Sequence, residues 1–224
     1  MHQPHLEYVK FTPDVEAYRK EIHYEVLEDE ALEGADYVLS YAADNLKPSF
    51  GGILLPVEDF SLNGDVGRAT IGGKTLEGPP VAKLKDRYKA APYFATCGMQ
   101  LDSLDADSID FMASFWIDTL KKQALIQARR AAMDYFRRVL GSKTISSINP
   151  GSGNVGYWDV SNLKPLFELF YEYKCISDVT LNQNMYMIPN KSVCGILFPS
   201  ETELYTCSVC NRENCPGRRA PFKS

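Results

Sequence analysis

The sequence predicts an α/β fold of the α+β type, with a mixed, mainly antiparallel sheet and long helices. Two observations lead to this prediction. Short apolar runs bounded by glycine or proline, which are typical of strands, recur along the chain, and stretches with apolar residues at helical spacing lie between them. No internal repeat is present. We expect residues 1–204 to form one α/β domain and residues 205–224 to form a cysteine-rich tail.

The N-terminal region begins with alternating short elements. Residues 5–11 alternate weakly and predict a strand, after which Thr12-Pro13 is typical of a cap and first turn that open a helix. Residues 30–46 carry apolar positions at helical spacing and predict a second helix. The apolar run 51–58 lies between glycines and a polar segment, so it predicts a buried strand.

The next elements lead to a long helix. Residues 59–73 are rich in Gly, Asn and Asp and predict a loop with one short strand, whereas residues 79–90 predict a helix that begins with two prolines. Residues 92–98 predict a second buried strand. Residues 108–140 then carry one apolar stripe at three- and four-residue steps, and Gly141 is a plausible C-cap. Small residues in this stripe would let another backbone approach closely: Ala124, Ala128, Ala131 and Ala132.

A glycine-rich loop follows the long helix. The segment 149–156, NPGSGNVG, contains one proline and three glycines, so it predicts turns or residues with positive φ. Such a loop exposes backbone N–H groups to a ligand, or it is a plain connector. The segment lacks the G-x-x-x-x-G-K-[ST] pattern and opens no strand–helix unit with G-x-G-x-x-G, so a nucleotide-phosphate cradle is not predicted.

The C-terminal tail has the spacing of a metal or cluster motif. Cys207, Cys210 and Cys215 form C-x2-C-x4-C, with a proline directly after the third cysteine. A closed site of this kind usually has four ligands. Residues 185–198 and residues 203–209 both predict strands. We expect these strands to pair as a hairpin, and this pairing would bring a fourth cysteine to the site.

In this hairpin the turn consists of residues 199–202. Pairing of Phe198 with Glu203 would place Cys194 directly opposite Cys207, and cross-strand neighbours have Cβ atoms roughly 4.5–5.5 Å apart. The sequence therefore predicts a four-thiolate site made of Cys194, Cys207, Cys210 and Cys215.

Four thiolates are compatible with a 4Fe–4S cluster or with structural zinc. A single C-x-x-C followed by a C-x4-C step that ends in Cys-Pro favours iron–sulfur modestly, because zinc ribbons more often contain two C-x-x-C knuckles. Thiols without a metal are the remaining alternative. Cys97 and Cys175 are expected to be buried apolar residues. Basic residues near the tail thiols would offset the negative charge of the site: Arg212, Arg218, Arg219 and Lys223.

Composition excludes several other classes of protein. The chain of 224 residues has a net charge of −5, which argues against nucleic acid or anionic lipid as the main partner. No apolar run approaches the roughly 20 residues of a membrane span. The first residues do not resemble a signal peptide, so we expect a cytoplasmic protein with reduced thiols. Only three histidines are present, all near the N-terminus, which disfavours histidine acid–base chemistry.

Three segments resemble a known family. MYMIPNKSVCGILF (185–198), FATCG (94–98) with the long helix after it, and INPGSG (148–153) are similar in order and spacing to segments of the reactivation domain of cobalamin-dependent methionine synthase. The resemblance covers roughly residues 90–207. It implies an activation-domain fold and a role in repairing corrinoid proteins.

In that family, the domain docks over the corrin and binds S-adenosylmethionine in the loop after the long helix. It couples one-electron reduction of cob(II)alamin to remethylation of the cobalt. The resemblance thus implies that this chain acts on the cobalamin of a corrinoid-binding protein or methyltransferase, with an electron donor such as ferredoxin or flavodoxin. The candidate residues for binding cobalamin or S-adenosylmethionine are Asn149, Pro150, Gly151, Gly153, Tyr157 and Trp158.

Two of these candidates have a second interpretation. Tyr157 and Trp158 would offer flat apolar surface to a macrocycle, or they pack under the loop. The chain also departs from the family pattern. The arginine that precedes the family's Pro-x-x-Gly-Tyr is Asn149, the tyrosine position is Asn154, and residues 121–123 contain no counterpart of a helix acid. These departures predict weak or absent S-adenosylmethionine binding.

Three functions remain open at this point. The first is an iron–sulfur protein that reductively reactivates or handles a corrinoid protein in methyl transfer, which would make the chain a reductive activase. The second is a non-redox module that binds a corrinoid protein and holds structural zinc. The third is an S-adenosylmethionine-binding reactivase.

Overall fold

The computed structural model describes residues 4–153, 157–204, 206–215, 218 and 220–222. The helices are Val15–Glu21 (α1), Asp29–Asn45 (α2), Ala113–Leu140 (α3) and Leu163–Glu172 (α4). The strands are Pro4–Tyr8 (β1), Ser49–Ile53 (β2), Leu55–Asn63 (β3), Val66–Ile71 (β4), Lys74–Gly78 (β5), Lys89–Thr96 (β6), Ile145–Ile148 (β7), Thr180–Leu181 (β8), Met187–Ile188 (β9) and Ser192–Pro199 (β10).

Eight of these strands form one antiparallel sheet, so the predicted fold class is confirmed. Strand β6 is central. Strands β2 and β3 pair with successive parts of one edge of β6, and β10 pairs with the other edge. Strand β7 pairs with β10, whereas β1 extends the sheet from β2 and the β4–β5 pair extends it from β3.

Helix α3 packs along the sheet through its small residues. It has 28 residues, which corresponds to a length of about 42 Å. Ala124, Ala128 and Ala132 are buried at four-residue steps, which lets α3 approach β6 closely, as the sequence predicts. The helix ends at Gly141, whose φ of 64° is the left-handed conformation that a C-cap glycine adopts.

Buried apolar residues form three clusters. One lies between the sheet and α4, and a second lies between the sheet and the C-terminal half of α3. The third joins α1 and α2 to the N-terminal half of α3. The sheet is therefore covered by α3 and α4 near β6 and β10, which is where the three family-like segments lie.

Three element predictions are wrong in detail. Residues 59–73 are not mainly loop: β3 continues to Asn63 and forms a hairpin with β4, because Gly64 supplies the positive φ of the turn. The helix predicted for residues 79–90 is a 3-10 helix, Pro79–Leu84, followed by β6. Residues 203–209 contain no strand among the described residues but a 3-10 turn, Thr206–Val209.

None of the helices in the described part of the chain has both the length and the apolarity needed to cross a membrane.

Candidate functional site

The three family-like segments meet at one place in the sheet. Residues 94–98 end strand β6, residues 192–198 lie in β10, and residues 148–153 begin at the end of β7. The register pairs Cys194 with Phe94 and Ile196 with Ile148. Segments that are far apart in the sequence thus form adjacent strand ends, and the glycine-rich loop leaves the sheet at this junction.

Asn149 fixes the loop to this junction. Its buried Nδ2 donates to the Cys194 carbonyl oxygen over 2.9 Å and to the Tyr93 hydroxyl over 3.2 Å. Its Oδ1 accepts a hydrogen bond from the Ser147 hydroxyl over 2.7 Å. A Cβ atom on Gly195 would lie 2.3 Å from this amide nitrogen, so a residue with a side chain is sterically excluded there. The Asn149 side chain is therefore occupied in holding the fold.

The first part of the loop has the predicted turns. Gly151 and Gly153 have φ values of 79° and 99°, a region that favours glycine. The Gly151 N–H donates to the Trp158 carbonyl oxygen over 2.9 Å and closes the loop. Tyr157 packs against Gly153, and burial, with a smaller contribution from the Asp65 carboxylate, raises the pKa of Tyr157. Asn154, the expected counterpart of the family's tyrosine, lies outside the described residues.

Trp158 is a core residue. Its side chain is buried among the residues between the sheet and α4, and its indole nitrogen donates to the Glu77 carbonyl oxygen over 3.0 Å. The interpretation of Trp158 as an exposed surface for a macrocycle is therefore wrong. A tryptophan beside glycines fits either role in the sequence, and only the contact with β5 distinguishes them.

Two cavities flank the loop. The larger one, with a volume of about 650 Å³, is lined by Pro150 from the loop and by residues 185–190. A smaller one, of about 280 Å³, is lined by Tyr157, by Leu204 and by tail residues 206, 208 and 209. The loop and the cysteine-bearing tail therefore border a common cavity, although the predicted hairpin is absent from the described residues.

The larger cavity has an apolar rim with an acidic residue. Tyr186 and Ile188 are 69% and 42% exposed at this rim. The Asp102 carboxylate also lines it and accepts a hydrogen bond from the Lys121 ammonium group over 2.5 Å. Lys121, one of the positions where the family's acid is absent, is itself buried. The cavity thus combines exposed apolar side chains with the Lys121–Asp102 ion pair.

Cys194 does not have the surroundings that the four-thiolate prediction requires. It pairs with Phe94 in the middle of the sheet and is 1% exposed, and burial raises the pKa of its thiol well above the usual value. Phe198 pairs with Ser146 rather than with Glu203, so the hairpin that would bring Cys194 to Cys207 is wrong. The expectation that Cys97 and Cys175 are buried is confirmed, and burial raises the pKa of each thiol to about 12.

The tail thiols have different surroundings. Cys207, Cys210 and Cys215 are half-buried. The Arg218 guanidinium donates to the carbonyl oxygens of Cys207 and Cys210, each over 2.9 Å, and so fixes the turn between them. Within the described residues, which include all six cysteines, no group of three or more His, Cys, Asp or Glu side chains lies close enough to hold a metal ion. The described part of the chain therefore contains no preformed metal site.

The fold as a whole belongs to the class of antiparallel α+β domains. No family model and no curated protein matches the sequence. Among solved structures, the chain is similar to the reactivation domain of MetH bound to AdoHcy, with a TM-score of 0.54. The sequence identity is 14%, and the match covers 91% of this chain and 81% of that chain. At this identity the likeness establishes the fold.

Sequence reasoning missed two sets of residues that border the cavities. Tyr186 directly precedes β9 and is exposed, but it lies within the segment that the sequence predicts as a strand, so no signal marked it. Lys83 and Arg87 lie in what the sequence predicts as an ordinary helix. No motif marks these two basic residues, because the tail that faces them is remote in the sequence.

Proposed function

We propose that this chain is a cytoplasmic factor that docks onto a corrinoid protein and takes part in reactivating its cobalamin. The observation that carries the proposal is the convergence of the three family-like segments at one strand junction, in a fold similar to the MetH reactivation domain. The junction supports the exposed rim of the larger cavity, which is the surface we assign to docking.

Tyr186 is the proposed anchor of this docking surface. Exposed aromatic residues next to a cavity are common hot spots of protein interfaces, and Tyr186 has this position beside the glycine-rich loop. Its ring takes the role that the sequence suggested for Trp158. Pro150 and Ile188 extend the apolar surface on either side.

A binding experiment with a cob(II)alamin-loaded corrinoid protein tests the proposal. Biolayer interferometry should give saturable binding of the wild-type chain, and Tyr186→Ala should weaken it by at least about tenfold. Tyr171→Ala is the matched control, because Tyr171 is also exposed but lies on α4 and lines neither cavity. Absence of wild-type binding to corrinoid proteins would contradict the function, whereas equal effects of both variants would contradict only the docking surface.

Methyl donation from S-adenosylmethionine is the weaker part of the proposal. The similar MetH domain is bound to AdoHcy, but Asn149 stands where the family's arginine is, and its amide is already used by the Cys194 carbonyl and by Tyr93. Loss of one charge-assisted hydrogen bond reduces affinity by roughly ten- to a hundredfold. Calorimetry should therefore give at most weak binding, and micromolar affinity would favour a remethylating reactivase.

We propose Cys207, Cys210 and Cys215, without Cys194, as ligands of a 4Fe–4S cluster, with zinc as the alternative. The support is their partial exposure and the turn that Arg218 fixes. Because the described residues contain no preformed site, the tail would have to close around a metal on binding, as small metal motifs do. Reduction of the partner's cobalt would need an electron donor such as ferredoxin or flavodoxin in either case.

A further inference from the structure

The tail forms a seam with the 3-10 helix Pro79–Leu84, and two adjacent cavities lie along it. The first is the cavity of about 280 Å³ beside Tyr157, and the second has a volume of about 290 Å³. Lys83 and Leu204 line both, so the cavities are neighbours. Together they form one elongated site, which we call the seam site.

The second cavity of the seam site has an excess of positive charge. Lys83 and Arg87 both line it, and Glu201 is the one acidic residue among the described residues of its lining. Within the described residues, neither cation forms an ion pair. An anionic ligand in this cavity would therefore meet two cations that have no carboxylate partner in that part of the chain, which favours its binding.

The first cavity has a different lining. Ile148, Leu204 and Val209 supply apolar surface, together with the ring of Tyr157, and hydroxyl groups of Ser147, Thr206 and Ser208 border it. This surface suits a flat apolar body with few polar substituents. A ligand that spans both cavities would therefore have an anionic head at Lys83 and Arg87 and an apolar body beside Tyr157.

We propose that the seam site binds a small organic phosphate monoester. A phosphate monoester carries nearly two negative charges at neutral pH, which match the two cations, and its terminal oxygens can accept from Arg87, Lys83 and the Thr202 hydroxyl. This inference does not depend on corrinoid docking. It adds a small-molecule ligand that would fasten the tail to the core of the protein.

Calorimetry with phenyl phosphate as the probe tests the seam site. Wild-type protein should bind phenyl phosphate more tightly than inorganic phosphate, because only the ester fills the first cavity, and more tightly than benzoate, which has the smaller charge. Lys83→Gln and Arg87→Gln should each weaken binding by about tenfold. Lys85→Gln is the matched control, because Lys85 is exposed, lies between the other two in sequence and lines neither cavity.

Three outcomes would overturn the proposal. One is absence of phenyl phosphate binding at millimolar concentration. Another is equal weakening in Lys85→Gln, which would indicate nonspecific attraction to a basic surface. The third is binding of benzoate as tight as that of phenyl phosphate, which would contradict the assignment to phosphate. Circular dichroism melts of all three variants distinguish loss of the site from loss of the fold.

Discussion

Cys194 in β10 and Cys207 in the tail were expected to share a metal, yet their surroundings are opposite. Cys194, like Cys97 and Cys175, lies in the core and has a raised thiol pKa, whereas Cys207 is half-buried in a turn fixed by Arg218. The same contrast applies to the two regions as a whole. At the sheet junction polar groups are buried and paired, whereas in the tail the Arg218 guanidinium binds backbone carbonyl oxygens of a half-buried turn.

The difference shows why cysteine spacing alone is an incomplete guide to a metal site. A thiol can ligate a metal only if it can lose its proton and face the other ligands. Cys194 fulfils neither condition, whereas the tail cysteines are half-buried and lie within one short segment. Substitutions in the two regions should therefore have very different effects on the free energy of unfolding.

The largest effect is expected for Trp158→Ala. This change removes a buried ring and the hydrogen bond to the Glu77 carbonyl oxygen, so it should lower the free energy of unfolding by about 3–5 kcal/mol. Urea denaturation measures the loss. Tyr186→Ala, which removes an exposed ring, should change the free energy of unfolding by less than about 0.5 kcal/mol. Similar values for the two variants would contradict the assignment of Trp158 to the core.

A smaller loss is expected for Asn149→Ala. Without the amide, the buried Cys194 carbonyl loses its side-chain donor and the Ser147 hydroxyl loses an acceptor, which should cost about 1–3 kcal/mol. Asn184→Ala is the control, because Asn184 is exposed and its side chain makes no hydrogen bond in the described part of the chain. If Asn149→Ala has the same free energy of unfolding as the wild type, the Asn149 side chain does not hold the fold and is available to a ligand. The contrast between the junction and the tail would then be weaker.

The sequence predicted the elements that depend on local signals. The apolar stripe of α3, its alanines and its Gly141 cap were all readable, because helical periodicity and capping act within a few residues. The β3–β4 hairpin was missed because its outer strand positions are polar. The partner of β10 could not be predicted, since Phe198 pairs with Ser146 across a long sequence separation rather than with the nearby Glu203.

The candidate site was predicted only in part for the same reason. The glycines of the loop follow from conformational preference, and Gly151 and Gly153 have the expected positive φ. The roles of Asn149 and Trp158 depend on groups contributed by β10 and β5. Such contacts between remote segments leave no pattern in a single sequence, so only the fold reveals the roles of these two side chains.

The buried thiols should also make stability fall at alkaline pH. The native state keeps the Cys175 thiol protonated because its pKa is raised from 9.0 to about 12. The unfolded state loses this proton near the ordinary value and so binds fewer protons between these two pH values. The contribution of Cys175 is complete below pH 9.0 and then declines by about 1.4 kcal/mol per pH unit.

Urea denaturation under reducing conditions at several pH values measures this slope. Cys175→Ala should make the alkaline decline in the free energy of unfolding less steep by about 1.4 kcal/mol per pH unit, because it removes the one proton that this thiol contributes to the difference between the native and unfolded states. Equal slopes for wild type and Cys175→Ala would mean that the Cys175 thiol is accessible to solvent, which would bring it closer to the tail cysteines in character.

The smallest effect on stability, and the sharpest test of the contrast, is expected in the tail. Replacing Cys207, Cys210 or Cys215 by serine removes no core contact, so metal-free protein should lose less than about 0.5 kcal/mol. Each replacement should nevertheless sharply lower the metal content of protein purified without oxygen, as measured by elemental analysis. It should also remove the broad brown absorption if the group is a 4Fe–4S cluster.

Cys194→Ser is the control and should have the opposite effects. It should lower the free energy of unfolding, because a hydroxyl in that buried position costs stability, and it should keep the metal content, because the tail ligands remain. Loss of metal in Cys194→Ser with an intact fold would instead mean that the tail reaches the sheet when a metal binds, and the two regions would then form one site.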